Sequence, residues 1–364
     1  VVSMAVLKLL GGGHILENNI VATGASAGTS IATGVIFTLP ALLILGYWQD
    51  FRYSWVLAIA GLGGLLGVLF SVPLRRSLIV EQGLAFPEGK AAAEVLKTGD
   101  NPGAGLKILA GAASIGGLMK LAAGSGLRLI PDTAASSAWW GNTLAYFGTN
   151  LSPALFGVGY IVGLNIGIVM LAGGVIAWNI AIPLYSNFFL ATDPVLSVEL
   201  AGATAEDAAY GIWSAQIRYL GVGAMLIGGV WTLISLRHSL VSGIKSGIHA
   251  ERGNGGVAIP RTERDLPMKL ILLGLVVFVL PLMVLYQAIV GSWAVSIPMT
   301  VIMIVAGFLF VSVSAYMAGL VGSSNNPVSG LTIATILFAA LVLVTMLGPQ
   351  STIGAVATIM IGAV

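Results

Sequence analysis

The charged residues of this chain bunch into a few short stretches, and between them run long apolar segments that carry almost no charge. Such segments can bury their surface in few ways. Where one reaches about 20 residues it matches a helix crossing roughly 30 Å of hydrocarbon, a medium in which each backbone N–H and C=O must be paired within a helix or a closed barrel. Candidate spans lie at 20–46, 55–74, 105–124, 152–171, 172–192, 212–236, 268–290, 295–319 and 330–349, with partial spans at 1–10 and 352–364. The expected fold is all-α, a polytopic transmembrane helical bundle with about nine full spans. Because the chain begins and ends inside apolar runs, it is expected to be an internal piece of something longer.

Composition agrees. Only 8% of residues are charged and 57% are hydrophobic, whereas a water-soluble chain carries about a quarter of its residues charged. A net charge of +2 gives no reason to expect nucleic acid as a partner. The absence of cysteine rules out disulfides, thiolate metal sites and a catalytic thiol. Glycines four apart, as in Gly24 and Gly28, Gly63 and Gly67, or Gly159, Gly163 and Gly167, suggest helix faces that allow close approach.

The signs of the loop charges set orientation. Arg75, Arg76, Lys90 and Lys97 mark 75–104, and Arg237, Lys245, Arg252, Arg261 and Arg264 mark 237–267, so both loops are expected in the cytoplasm. The 193–211 connection carries Asp193, Glu199, Glu206 and Asp207 without Lys or Arg and is expected outside, as are 47–54 and 125–151. Span parity is consistent with all of these assignments. After Pro87, the stretch Glu88 to Lys97 predicts a short helix near the membrane surface, with Glu94 three residues before Lys97. Gly253, Gly255, Gly256 and Pro260 mark 250–267 as a linker. It would divide a first bundle at 1–249 from a second, incomplete one at 268–364.

Two polar segments stand out. Glu17, Asn18 and Asn19 lead into a span in which Asn19, Thr23, Ser26, Ser30 and Thr33 recur every third or fourth residue, on one helical face. In the run Gly322 to Gly330, Asn325, Asn326 and Ser329 lead into Thr332 and Thr335 with the same spacing. Both segments hold an Asn pair, a Val two residues later, and then Ser30-Ile31-Ala32-Thr33 or Thr332-Ile333-Ala334-Thr335. Internal repeats with interrupted helices that meet at a midplane substrate site are a common plan of secondary transporters. The bland alternative is that these hydroxyls bond back to their own helix carbonyls or hold helices together.

Ionisable groups near the spans are few, and a charge at membrane depth defaults to a functional hypothesis. Glu17 is the candidate proton-titrating carboxylate, or else a helix cap. Arg218, with Gln216 and Tyr219, is the candidate partner of a substrate carboxylate, or else snorkels to headgroups. His14, His238 and His249 are not at ligand spacing, so no metal site is expected. No P-loop is present, and transport would draw on an ion gradient or another subunit. A passive channel or structural membrane subunit is the alternative. A membrane-embedded hydrolase is disfavoured, because no Ser-His-Asp or paired-Asp arrangement lies within the spans.

Four motifs now stand in order: His14 to Gly28, Leu84 to Lys97, Arg218 to Met225, and Gly322 to Thr332. Together they resemble the oligopeptide transporter (OPT) family, and in particular its prokaryotic branch related to the yellow-stripe-like metal-chelate carriers. The resemblance covers essentially the whole chain and implies a multi-pass protein of a bacterial inner membrane. It also implies proton-coupled uptake of short peptides or peptide-like metal chelates, with no cofactor and no enzymatic activity.

Overall fold

The apolar runs fold as helices. The computed structural model describes residues 4, 6–7, 10–11, 13–100, 104–123, 127–250 and 266–364. The expected linker at 250–267 and the partial span at 1–10 lie for the most part outside the described residues. In chain order the helices are α1 (Ile15–Thr38), α2 (Pro40–Ile44), α3 (Tyr53–Arg75), α4 (Pro87–Asp100) and α5 (Ala104–Ala122). A hairpin of β1 (Thr133–Trp140) and β2 (Thr143–Asn150) follows, then α6 (Pro153–Val162), α7 (Leu164–Gly174), α8 (Ile182–Phe188), α9 (Leu196–Glu199) and α10 (Ala205–Ile212). The chain continues with α11 (Arg218–Ala250), α12 (Met268–Val290), α13 (Trp293–Val321), α14 (Val328–Leu347) and α15 (Thr352–Ala363).

Among the described residues, seven helical stretches are long and apolar enough to cross a membrane: 15–44, 53–75, 105–122, 164–188, 268–290, 293–321 and 328–347. The nine spans read from the sequence differ from these chiefly in the middle of the chain. The pair 152–171 and 172–192 becomes one short helix and one span, because the helix breaks at Gly163 rather than between 171 and 172. Gly163 has φ +89°, a conformation open to glycine at little cost. Gly159, Gly163 and Gly167 therefore do not share one continuous face. Between α7 and α8 the helix widens instead into π-turns over Val175–Ala181, and a second π segment, Trp213–Ile217, precedes α11.

The chain divides into two compact units that interleave along the sequence. One comprises 1–22, 86–224 and 320–322. Its core is Leu144, Tyr146, Ile182, Leu196, Ala208, Ala209, Ile212 and Ile217, which joins the hairpin to α8, α9 and α10. The hairpin turns on the two residues Gly141 and Asn142, with Gly141 at φ +62°, and pairs in unbroken register from Thr133↔Asn150 to Trp140↔Thr143. Leu144 and Tyr146 alternate inward, and the fully buried Leu144 donates its N–H to Ser186 Oγ at 2.9 Å. Tyr146 Oη lies 3.2 Å from Tyr210 Oη, so the hairpin and 193–212 share one end of this unit. In α4, Glu94 meets Lys97 at 2.7 Å on an exposed face, as their spacing predicts.

The other unit comprises 23–85, 225–319 and 323–364. Leu42, Ile59, Leu66 and Phe70 pack with Leu282 and Tyr286 of α12, Met299 and Met303 of α13, Leu343 of α14, and Val356 and Met360 of α15. Phe70 meets Phe308 edge to face at 5.7 Å. Pro281 and Pro298 lie inside α12 and α13, where a missing N–H is tolerated because neighbouring groups can re-satisfy the backbone.

Candidate functional site

The second polar seam reaches a cavity. Asn325 and Asn326 lie in the connection between α13 and α14, since Pro327 has no N–H to continue a helix and α14 begins only at Val328. Ser329 follows, half-buried, in the first turn of α14. One turn on, Thr332 and Thr335 line a cavity of about 400 Å³ inside the second unit. Thr332 donates to Val328 O and Thr335 to Leu331 O, each at 2.9 Å. Their protons are thus spent within the helix, and what the hydroxyl oxygens can offer the cavity is acceptor lone pairs. Ser314 of α13 also lines it. Asn326 Nδ2 donates to Ser314 O at 3.4 Å and to Ser314 Oγ, which fastens the α13–α14 connection to the cavity wall. Elsewhere the lining is apolar or glycine, including Gly34, Gly67, Phe70, Met303 and Gly307.

The first seam is arranged differently. Glu17 is exposed, and its Oε2 accepts the N–H of Gly13 at 3.0 Å and of His14 at 3.2 Å, a carboxylate cap on the N-terminus of α1. Asn18 is buried, with its Nδ2 donating to Gly13 O at 3.2 Å and its Oδ1 unpartnered. Asn19, Thr23, Ser26 and Ser30 follow on exposed surface of α1, with Thr33 half-buried. Ser30 donates to Ser26 O and Thr33 to Thr29 O, the back-bonding expected of hydroxyls in membrane helices. From α1 the cavity takes Gly34 and none of these hydroxyls. The two Asn pairs also differ in setting: Asn18 and Asn19 sit inside the first turn of α1, whereas Asn325 and Asn326 precede α14. Pro327, which has no counterpart at Ile20, accounts for the difference.

Gln216, Arg218 and Tyr219 belong to the first unit. The Arg218 guanidinium lies 5.7 Å from the Trp213 ring centre, a cation–π contact. Trp213 stacks on Trp178 at 5.8 Å, and Trp178 meets Tyr146 and Tyr210 at 4.8 and 5.1 Å. Trp178 and Trp213 each sit in a π segment, where widened turns are frequently tied to function. Gln216 Nε2 lies 3.5 Å from Asp193 Oδ2, and Tyr219 is exposed. Asp193 accepts the N–H of Leu196 at 2.9 Å, the hydroxyl of Tyr185 at 2.7 Å and the N–H of Val195 at 3.0 Å. Led by the Leu196 bond, these contacts hold its carboxyl below the usual carboxylate range. Burial, followed by the Tyr210 hydrogen bond, pushes the Tyr146 phenol up to about 12.

The clustering of Trp178, Asp193, Tyr146 and Tyr210 is not legible in sequence because their proximity is non-local. The hairpin did carry a signal, Gly141-Asn142 followed by the alternating Leu144 and Tyr146.

A family model described as "OPT oligopeptide transporter protein" matches residues 1–364. A protein of Haemophilus influenzae named "Putative oligopeptide transporter" is 35% identical over 356 residues, which is 95% of this chain and 55% of that protein. The chain thus spans little more than half the length of this curated relative. No solved structure matches it.

Proposed function

The chain belongs to the oligopeptide transporter family, and on that premise we propose that it forms part of a proton-coupled symporter for oligopeptides or peptide-like metal chelates in a bacterial cell membrane. The observation that carries this reading is the cavity behind Thr332 and Thr335. Its volume of about 400 Å³ falls within the roughly 300–1,000 Å³ of small-molecule sites. A wall that offers acceptors suits the N–H groups of a peptide, and its glycines leave room for side chains of varied shape. Asn325, Asn326 and Ser329 lead to this site, and Asn18, Asn19, Thr23, Ser26 and Ser30 mark the corresponding segment of α1. Within the first unit, Arg218 with Gln216 and Tyr219 is a separate candidate to hold a substrate carboxylate, for which guanidinium geometry is well matched.

Coupling is assigned to Glu17. Its carboxylate holds two N–H groups at the start of α1, and protonation would weaken both bonds by removing their charge. A proton taken up there loosens the first turn of the helix. The test is uptake of radiolabelled trialanine by the full-length protein in proteoliposomes, with and without an inward pH gradient. Gradient-driven accumulation is expected, and Glu17→Gln should abolish the gradient dependence while leaving downhill exchange. Uptake indifferent to the gradient in the unmutated protein would indicate a passive channel. Unaltered proton dependence in Glu17→Gln would remove Glu17 from the mechanism.

A further inference from the structure

Two of the four family motifs, Leu84 to Lys97 and Gly322 to Thr332, meet at one point. Gly322, the residue after α13, is buried and has φ +95°. A Cβ built on it would fall against Glu88 Oε2, 2.8 Å from the Glu88 Cβ and 3.3 Å from its Cδ. The side chain that Gly322 lacks would occupy the space now filled by the Glu88 carboxylate. The fit also agrees with the charge pattern, since the loop at 75–104 is assigned to the cytoplasm and α12 and α13 return the chain from 237–267 to that same face.

The seat is held against two unfavourable terms. Phe86, which delivers the chain to Pro87 and Glu88, has φ +42°, and among the described residues Arg128 is the other non-glycine with positive φ. A bulky residue in the left-handed region, directly before a proline, is strained. The carboxylate, favoured by the dipole of α4 in whose first turn it sits, also stands just past the C-terminus of the 29-residue α13, whose macrodipole is negative at that end. Strain that persists because its surroundings over-determine it is a recurring property of switch regions. Helix stability accounts for an acidic residue at Glu88, in the first turn of α4, but does not call for a left-handed Phe86 before it.

We propose that Glu88 is a positioning residue of the transport cycle. Its carboxylate seats the backbone at Gly322 in the conformation seen here, and the contact opens when the carrier changes the side from which it is accessible. The segment it seats leads directly into Asn325, Asn326 and α14, so release at Gly322 frees the start of the helix that carries Thr332 and Thr335. The proposal rests on the transporter reading above and adds to it a contact that must break and re-form in each cycle.

The experiment uses the full-length transporter in proteoliposomes with trialanine as the probe. Gly322→Ala should lower the maximal uptake rate at least tenfold with KM changed less than twofold, because at φ +95° a side chain is strained and the methyl group has no room while Glu88 is seated. Glu88→Gln keeps the volume of the side chain and removes its charge, so it should slow turnover in the same KM-sparing way without loss of folded protein. A cysteine placed at the exposed Ser324 reports the motion: its labelling rate by an impermeant maleimide should change on adding trialanine, and Glu88→Gln should suppress that change. Wild-type uptake rates in both Gly322→Ala and Glu88→Gln would overturn the seating role and leave the transporter reading intact. So would a Ser324→Cys labelling rate indifferent to trialanine in a carrier that moves it. An unmutated protein that moves no trialanine under any gradient would overturn both.

Discussion

Asn326 and Ser314 are joined through one amide group, which donates to both the backbone carbonyl and the hydroxyl of the serine twelve residues earlier. The bond ties the connection after α13 to a residue of the cavity wall. A net contribution of about 1 kcal/mol is typical of such a bond. Asn326→Ala is therefore expected to lower the melting temperature of the purified carrier by a few degrees and to reduce trialanine uptake several-fold. Fluorescence-monitored unfolding alongside uptake checks both. An unchanged melting temperature would mean that the tie carries no stability.

Gly67 lines the cavity, and a Cβ added there would meet nothing within 4 Å. Gly67→Leu should therefore fold normally and fill space that a substrate would use. Uptake of tetra- and pentapeptides is expected to fall much more than that of a dipeptide. Equal loss across lengths would count against the cavity as the substrate site.

Ser186 is buried and accepts the N–H of the fully buried Leu144. In Ser186→Ala that N–H has no acceptor from the serine, at a cost of about 1–3 kcal/mol. The hairpin should become more susceptible to proteolysis while α12, α14 and α15, which belong to the other unit, stay intact. Limited digestion with mapping of the cut sites tests this.

The Tyr146 phenol, raised from 10.0 to about 12, keeps its proton more firmly in the folded protein than in the unfolded chain. Above pH 10 the unfolded state therefore binds fewer protons, and stability falls with rising pH. The contribution of this group is fully present below pH 10 and is lost as the pH climbs from about 10 to 12. Absorbance at 295 nm in Tyr146→Phe against the unmutated protein should show the missing late titration, and the variant's hairpin should lose less stability over that window.

How much of this was legible in sequence depends on how local each cause is. Spans at 55–74, 268–290, 295–319 and 330–349 match α3, α12, α13 and α14 closely, because apolar length alone sets them. The helix after Pro87 and its Glu94–Lys97 pair follow from propensity and spacing within one turn. Thr332 and Thr335 could be placed on one face by counting. That they line a cavity depends on Gly34, Gly67 and Gly307 from other helices, which counting does not reach. The hairpin at 133–150 is not legible from apolar length, because its uncharged residues mix small and polar side chains with aromatics and form no long apolar run. The break at Gly163 and the π-turns at 175–181 depend on backbone angles that Gly159, Gly163, Gly167, Gly173 and Gly174 permit equally well in sequence.

The interleaving of the two units bears on how the protein is made. The first unit draws on 1–22 and 86–224 and again on Leu320–Gly322, while the second draws on 23–85, 225–319 and 323–364. Neither unit is complete when translation reaches the middle of the chain, so a ribosome cannot release one finished before starting the other. Helices inserted early must wait in the bilayer, partly assembled, for partners synthesised hundreds of residues later. Any factor that holds transmembrane segments apart during that interval would act on contacts such as that of Glu88 with Gly322, whose two sides emerge far apart in time.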